Sequence, residues 1–405
     1  MEPLFTYKCT TCGKSFEKDE VLYLCPECSR NQEPGRPLEG VLEAIFDFRK
    51  LTMKFDPADT DLECLMPIEK KYRPVLPVGH TPLFKAGRLA DSLGMKDLWI
   101  KNDGQNPSGS LKDRASFMVT AQALKLGYDR VVTASTGNAA SSLAAVCASA
   151  GLSAIIFVPA SAPRAKLVQV MIHGARLVPV NGTYDQAFSL SMEYTEKFKG
   201  LNRNTAFNPL TIEGKKTVAF EIFRQLGKVP DAIVVPVGDG VILAAVHKGF
   251  KDLTGIGLTD KLPRLIAVQA ESSAAVHHLF TTGEFKASPN PSTVADSISV
   301  SVPSNAWWAK RALEESKGLS IMVSDRQILR AQAELASMTG VFAEPAASAG
   351  LAGLKELIFN GKLDPASSLV LLVTGHGLKD VDTAEQGLDF PDPVEPETKS
   401  LEALI

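Results

Sequence analysis

The chain has 405 residues, of which 45% are hydrophobic and 22% charged, so it is long enough to bury the cores of two or more globular domains. Its formal net charge of −3 excludes a general attraction to nucleic acid or to an anionic membrane, and small molecules are the expected partners. The N-terminal segment MEPLFTYKC lacks the basic, apolar and small-residue regions of a signal peptide, which predicts a cytoplasmic protein in a reducing compartment.

Four of the six cysteines form two CxxC pairs near the N-terminus: Cys9 with Cys12, and Cys25 with Cys28. Each pair presents two thiolates to one ion, and two pairs complete the tetrahedral four-thiolate shell of structural zinc. The spacing therefore predicts a zinc ribbon, whose closed shell leaves no position for catalysis. Unrelated thiols and two disulfides are the alternatives. Ribbons also bind nucleic acid and proteins, so this module alone does not define a function.

Beyond the cysteines, short apolar segments alternate with helical patterns, which predicts an α/β fold with parallel sheet and helices on both faces. The predicted strands are VVTAS (131–135), AIIFVPA (154–160), ARLVPV (175–180), AIVVPVG (232–238) and LVLLVTG (369–375). Ligands in such sheets bind at the carboxyl ends of the strands. We therefore expect the functional residues in the loops STGN, GDG and TGHG.

One lysine is a candidate for covalent chemistry. The segment KNDGQNPSGSLKDRAS places Lys112 after proline and glycine residues at the start of a predicted helix, with Asp113 and Arg114 in its first turn. A lysine that forms a Schiff base must sit on a defined element and become neutral, which burial and nearby positive charge both favour. On this segment alone, a solvated surface lysine is the commoner outcome.

Three loops after predicted strands suit anions or a ring nitrogen. The loop at 135–138 offers N–H groups and hydroxyls for a carboxylate, and the loop at 238–240 offers a helix N-terminus for a phosphate. The Asp239 carboxylate is unfavourable beside a dianion unless it turns back to cap the helix. Thr374 follows a very apolar strand, where its hydroxyl meets a buried ring nitrogen or bonds its own backbone.

These loops belong to an ordered series of motifs that resembles the threonine synthases, within the fold type II family of pyridoxal 5'-phosphate (PLP) enzymes. The resemblance covers nearly the whole chain, since some members also carry a four-cysteine element in front. The motifs are GHTPL (79–83), NPSGSLKDR (106–114), STGN (135–138), NPLTIEGKKT (208–217), PVGDG (236–240), FAEPAASAG (342–350) and VTGHGLKD (373–380).

The resemblance implies a role for each matching residue. The catalytic residue is Lys112, which carries PLP as a Schiff base. The implied cofactor ligands are Lys112 itself, Asn138 at the phenolic oxygen, Gly238, Asp239 and Gly240 at the phosphate, and Thr374 at the pyridine nitrogen. The implied ligands of the substrate carboxylate are Ser135, Thr136 and Gly137.

The closest resemblance implies an amino-acid substrate, O-phospho-L-homoserine, which a lyase converts with water to L-threonine and phosphate. The γ-phosphate leaves and water adds at Cβ, with PLP as the electron sink. Lys112 would move the protons at Cα and Cβ, and the departing phosphate would help to activate the water. A buried phosphate needs cationic and amide partners, for which the candidates are Lys166, Asn208, Lys215 and Lys216.

Three positions depart from the family pattern. Ala139 replaces a usual threonine, Leu210 and Thr211 stand where threonine synthases often present an arginine to the substrate phosphate, and Asp239 replaces a usual asparagine or other neutral residue. A related PLP enzyme therefore stays open, acting by β-elimination or β-replacement on serine, threonine or an O-activated serine. A non-enzymatic PLP and zinc-ribbon scaffold is the third possibility, but a scaffold has no need of three separate residues that converge on one cofactor.

The expected architecture is the tryptophan synthase β-like α/β fold of type II PLP enzymes, with a small zinc ribbon in front. We expect the ribbon at 1–40, the larger PLP-binding domain at 41–115 and 215–390, a smaller mobile domain at 116–214, and a tail at 391–405. The smaller domain carries the STGN loop, and its closure would exclude water from the carbanion. The resemblance suggests a homodimer.

Overall fold

The computed structural model describes residues 3–53, 55, 62–388 and 390–396, so the predicted tail lies outside the described residues from 397 onward. The strands are β1 (Phe5–Cys9), β2 (Ser15–Glu17), β3 (Leu42–Phe46), β4 (Leu83–Lys85), β5 (Asp97–Asn102), β6 (Arg130–Ala134), β7 (Ser153–Pro159), β8 (Arg176–Val180), β9 (Leu201–Asn202), β10 (Ala232–Pro236), β11 (Arg264–Ala270), β12 (Leu319–Val323) and β13 (Ser368–Val373).

The helices separate these strands in the alternation that the sequence predicted. They are α1 (Phe48–Thr52), α2 (Gly87–Ser92), α3 (Lys112–Leu126), α4 (Asn138–Ala150), α5 (Arg164–Ile172), α6 (Tyr184–Phe198), α7 (Leu210–Lys215), α8 (Thr217–Leu226), α9 (Val241–Gly255), α10 (Ala275–Thr282), α11 (Ala306–Glu315), α12 (Asp325–Thr339), α13 (Pro345–Phe359) and α14 (Val381–Glu385). Within the described ranges, every helix is too short or too polar to span a lipid bilayer.

The largest sheet has six strands in the order β12-β11-β10-β13-β5-β4, and all neighbours are parallel except β4 and β5. Every residue of β10 and β13 is buried. Strands buried on both faces read as continuous apolar runs, which is why the sequence showed these two strands so clearly. Their carboxyl ends lead into the GDG and TGHG loops.

A second parallel sheet has four strands in the order β8-β7-β6-β9. The STGN loop follows β6 in this sheet, so the three predicted loops come from two sheets. All five predicted strands are present, and the α/β class is confirmed. The sequence analysis did not predict β5 or β11, in which Lys101 and Gln269 interrupt the apolar pattern.

The N-terminal region forms an antiparallel sheet in the order β2-β1-β3. Because β3 pairs along the whole of β1, this sheet extends to Phe46, beyond the predicted boundary at residue 40. We call residues 3–46 the ribbon module. Its side chains Leu24, Leu38 and Val41 pack against a buried cluster that includes Trp308, so the module rests on the body of the protein.

Local signals fix the helices that carry the site. Glycines in the left-handed conformation end α3 at Gly127 and α4 at Gly151, which is a common way to satisfy the last helical carbonyls. Thr183 and Gln186 form a capping box at the start of α6. These ends hold α3 and α4 at fixed lengths behind the loops that precede them.

Candidate active site

Lys112 is the first residue of α3, and the loop before it is fastened to the end of β13. The N–H of Leu111 donates to the carbonyl of Thr374 at 2.9 Å, and Ser110 bridges to Gly375. The Lys112 side chain is half-buried, and burial lowers its pKa. The structure therefore brings Lys112 and Thr374 together and favours a neutral lysine amine.

The two residues after Lys112 fix its position. The Asp113 carboxylate accepts from the N–H of Ser108 at 2.7 Å, which closes the preceding loop. Arg114 pairs with Asp103 at 2.6 Å and with Glu221 at 2.5 Å. Both residues lie in the first helical turn, as predicted, and their partners come from distant segments that the sequence could not indicate.

Asn138 begins α4, and its amide is held by a carboxylate that the sequence analysis did not predict. Its Nδ2 donates to both oxygens of Glu344, at 3.0 and 2.8 Å, and to Ser297 Oγ at 3.2 Å. Burial raises the pKa of Glu344, whereas Asn138 and Lys112 stabilise its charged form. A lysine, an amide and a buried carboxylate thus lie around one space.

The loop Gly238–Gly240 approaches another backbone segment closely. A Cβ on Gly238 would lie 2.8 Å from the Cα of Ile298, and Gly240 has a φ of +83° at the start of α9. The Asp239 carboxylate accepts from the N–H of Ser304 at 2.8 Å and does not turn back to cap α9. The positive end of the α9 dipole still makes this loop suitable for a phosphate.

A cleft of about 520 Å³ is lined by Asn138 and Glu344, whereas Lys112, Thr374 and the loop Gly238–Gly240 do not line it. Its wall includes Thr136 and Gly137 at the N-terminus of α4, where Gly137 N–H donates to Ser135 Oγ at 3.2 Å. It also includes Lys166, which pairs with Asp296 at 2.7 Å. The predicted carboxylate loop and one predicted phosphate ligand therefore share the same cleft.

The other predicted phosphate ligands do not all lie together. Asn208 Nδ2 donates to Gln122 Oε1 at 3.1 Å and to the Asn202 carbonyl at 2.9 Å, so its amide group already has hydrogen-bond partners within the protein. Lys216 pairs with buried carboxylates at 2.5 and 2.7 Å, and the structure does not bring it to Lys112. Lys215 is different: burial, Arg203 and Lys112 together lower its pKa far below the usual value, and its neighbour Gly214 packs on the Arg114 carbonyl in the first turn of α3.

The four ribbon cysteines form a compact group. Their Sγ atoms lie within 4.8 Å of one another, and none of the four is in a disulfide. The alternative of two disulfides is therefore wrong for this structure. Four thiols at this separation have the donor chemistry and the number of ligands that a tetrahedral Zn²⁺ site requires.

The ribbon module contacts two segments that reach the site. Tyr23 Oη accepts from the N–H of Asn202 at 2.9 Å, and its ring stacks on Phe207 with centroids 4.5 Å apart. The N–H of Leu38 donates to the carbonyl of Ser304 at 3.0 Å. The module therefore supports both the segment before α7 and the loop that binds Asp239.

The class is defined by three features: two α/β sheets that are parallel except at β4, a lysine at a helix start whose pKa is lowered, and a glycine loop at a helix N-terminus. These are features of an enzyme that binds PLP through a lysine and a phosphate loop. In agreement, the family model described as "Pyridoxal-phosphate dependent enzyme" matches residues 75–375.

Within that class the relatives are more specific. The chain is 36% identical to "Threonine synthase" of Methanosarcina acetivorans, over 99% of each chain, and 35% identical to "Threonine synthase" of Methanocaldococcus jannaschii, over 98% of each. The chain belongs to the threonine synthase family of PLP-dependent enzymes. A solved structure, the processed form of threonine deaminase isoform 2 from Solanum lycopersicum, shares the fold with a TM-score of 0.68 at 22% identity, covering 82% of this chain and 93% of that one.

Proposed function

We propose that this protein is a PLP-dependent lyase that converts O-phospho-L-homoserine and water to L-threonine and phosphate. The observation that carries the proposal is the position of Lys112, half-buried at the start of α3 beside Thr374, Asn138 and Glu344. The two nearly full-length relatives named above support the choice of reaction.

The side chains present fit the cofactor. Lys112 would bind its carbonyl carbon, Asn138 its phenolic oxygen, and Thr374 its ring nitrogen. The glycines at 238 and 240 leave the backbone close to the space for its phosphate, because a side chain at either position would meet neighbouring atoms within 3.0 Å. When bound, PLP withdraws electrons from the substrate and makes the Cα and Cβ protons easier to remove.

The residues of the chain then provide binding and proton transfer. The N-terminus of α4 attracts the substrate carboxylate through its dipole, the Thr136 N–H and the hydroxyls of Ser135 and Thr136, because the Ser135 N–H already donates to the Phe157 carbonyl and the Gly137 N–H to Ser135 Oγ. The Lys112 amine, whose pKa is lowered by burial, would accept a proton and return it. Glu344 keeps the Asn138 amide in one orientation. A smaller unit at 116–214 that closes over the cleft would exclude water during these steps.

Phosphate release from purified, PLP-loaded protein with O-phosphohomoserine tests the proposal directly. We expect one threonine for each phosphate released. Lys112→Ala should lose both the near-violet absorbance of the bound cofactor and the reaction, whereas Lys197→Gln, at an exposed position, should retain both. An unchanged absorbance in Lys112→Ala would refute the assignment of the lysine.

The second candidate is a β-elimination or β-replacement enzyme acting on serine, threonine or an O-activated serine. The observation that favours it is Thr211, whose buried hydroxyl donates to the Asn208 carbonyl at 2.9 Å and supplies no cation to a phosphate. Serine, threonine and O-phosphoserine therefore belong in the same assay, with detection of keto acids and amino acids. Turnover of one of these without turnover of O-phosphohomoserine would select this candidate.

The ribbon module is proposed to bind one structural Zn²⁺ through Cys9, Cys12, Cys25 and Cys28. The mutual proximity of the four thiols supports this, and metal analysis of the purified protein should find one zinc per chain. The family resemblance supports a homodimer, which sedimentation equilibrium would test.

A further inference from the structure

We propose that Arg203, which belongs to no motif, binds the phosphate group of the substrate together with Lys215. This inference rests on the proposed function, because it requires a phosphorylated amino acid. The ligand chemistry is a phosphate monoester dianion, held by one guanidinium and one ammonium group inside the protein.

Both side chains are buried, and neither forms an ion pair with a carboxylate of the described residues, although Asp113 acts on Arg203 from a longer distance. Arg203 is 1% exposed, its Nε donates to Ser116 Oγ at 3.2 Å, and its Nη2 has no hydrogen-bond partner among the described residues. Lys215 is also 1% exposed, and its one hydrogen bond in the described structure goes to Thr205 Oγ1 at 3.3 Å. Buried charges of this kind are strongly unfavourable unless an anion compensates them.

The other buried cations of the described chain are paired, which makes these two exceptional. Lys101 and Arg114 each lie 2.6 Å from a carboxylate, and Lys216 and Lys248 each lie 2.5 Å from one. The fold therefore neutralises the buried cations that it uses for structure. The two that remain unpaired both lie in the region of the catalytic lysine.

Contacts with α3 and the electrostatic effects agree on where the pair lies. Burial lowers the pKa of Arg203 to about 10, and the pKa of Lys215 is lowered by burial, by Arg203 and by Lys112. Ser116, which accepts from Arg203 Nε, lies one helical turn after Lys112 in α3, and Gly214, the neighbour of Lys215, packs directly on the Arg114 carbonyl of the same helix. Both cations therefore lie beside the first turn of α3. Asp239 acts in the opposite direction and raises the pKa of Lys215, but its carboxylate already accepts a hydrogen bond from the Ser304 N–H at 2.8 Å.

The topology favours the substrate over the cofactor as the source of the phosphate. Arg203 directly follows β9, which pairs in parallel with β6, and β6 leads into the predicted carboxylate loop. Asn204 ties these two strand ends together, since its Oδ1 accepts from the Ala134 N–H at 2.8 Å. Arg203 and the carboxylate loop therefore extend from the same edge of one sheet, where they can hold the two anionic ends of one substrate.

The cofactor phosphate has separate, uncharged partners. The loop at 238–240 offers backbone N–H groups at the start of α9. Nearby, Ser304 Oγ and both amide atoms of Asn305 are buried without hydrogen-bond partners among the described residues, and the N–H of Asn305 donates to the Asp239 carbonyl at 3.0 Å. This loop is therefore assigned to the cofactor, which leaves Arg203 and Lys215 for the substrate.

The test compares Arg203→Gln and Lys215→Gln with the wild type and with the exposed control Lys197→Gln. Calorimetric titration of the PLP-loaded proteins with inorganic phosphate gives a readout that is independent of turnover. We expect each site variant to weaken phosphate binding by about 10- to 100-fold, the loss of a charge-assisted hydrogen bond. The affinities for PLP and for L-threonine, followed by near-violet absorbance, should stay within about twofold because neither ligand uses the pair.

The outcomes distinguish a site for the substrate phosphate from a site for the cofactor phosphate. They also distinguish failure of this inference from failure of the proposed reaction. Weaker PLP binding with unchanged phosphate binding would assign the pair to the cofactor and overturn the inference. Phosphate binding that none of the variants alters would also overturn it. Thermal unfolding monitors folding, and removal of an unpaired buried cation should leave the melting temperature equal or higher. Phosphate binding through the pair without turnover of O-phosphohomoserine would support the site while refuting the proposed reaction.

Discussion

Gly238→Ala tests the phosphate loop by a steric argument. The added Cβ would lie 2.8 Å from Ile298 Cα and 3.2 Å from a methyl group of Val300. Carbon atoms pack at 3.5 Å or more, so the two segments must separate by roughly 0.7 Å. Overpacking of this kind costs about 1–3 kcal/mol. Gly238 does not have a positive φ, so no backbone strain adds to this cost.

We expect the loop to move toward the space for the cofactor phosphate, because Ile298 is buried and blocks the other direction. The dissociation constant for PLP should then rise by about 5- to 150-fold. Titration of the apoprotein with PLP, followed by near-violet absorbance, measures this change. Gly87→Ala is the control, since nothing lies within 4 Å of its added Cβ. A twofold or smaller change in Gly238→Ala would refute the assignment of this loop to the phosphate.

Three further results are expected. Burial raises the pKa of Glu344, so the folded wild type binds more protons than the unfolded chain above the usual pKa of about 4.3, and its stability should fall as pH rises toward the raised value. Glu344→Gln should flatten this dependence in urea melts between pH 5 and 8, and an identical slope would contradict the argument. Lys216→Met leaves Glu213 and Asp252 buried without one cation and should lower the free energy of unfolding by about 3 kcal/mol; a loss below about 1 kcal/mol would mean that Lys248 compensates. Cys9→Ser should release zinc, measured by atomic absorption, and weaken PLP binding several-fold through the ribbon contacts; unchanged PLP affinity would show that the modules act independently.

The sequence predicted the loops that approach the lysine because strand ends and glycine motifs are local signals. Lys112 and Thr374 meet in the structure through the Leu111 hydrogen bond, as expected for loops at the ends of parallel strands. Glu344 lies inside the motif FAEPAASAG, but the sequence analysis predicted no function for it. The available signal was that it is the one charged residue between Gly340 and Leu354, a pattern that indicates a buried and partnered carboxylate.

Other features depend on contacts between distant segments. Arg203 belongs to no motif and follows a strand of two residues, so its burial and its lack of a partner emerge only in three dimensions. Lys215 and Lys216 are adjacent in sequence, yet one is unpaired near the lysine and the other is neutralised beneath the ribbon. Residue type alone cannot separate them, because successive helical residues point about 100° apart.

The contact between the ribbon module and the protein body limits how this chain can be shortened for laboratory production. A fragment trimmed to the family match at 75–375 would lack Tyr23 and Leu38, leaving the Asn202 N–H and the Ser304 carbonyl without their hydrogen bonds. It would also expose Trp308 and its apolar neighbours, which invites aggregation. Expression should therefore start no later than residue 3, with zinc in the growth medium.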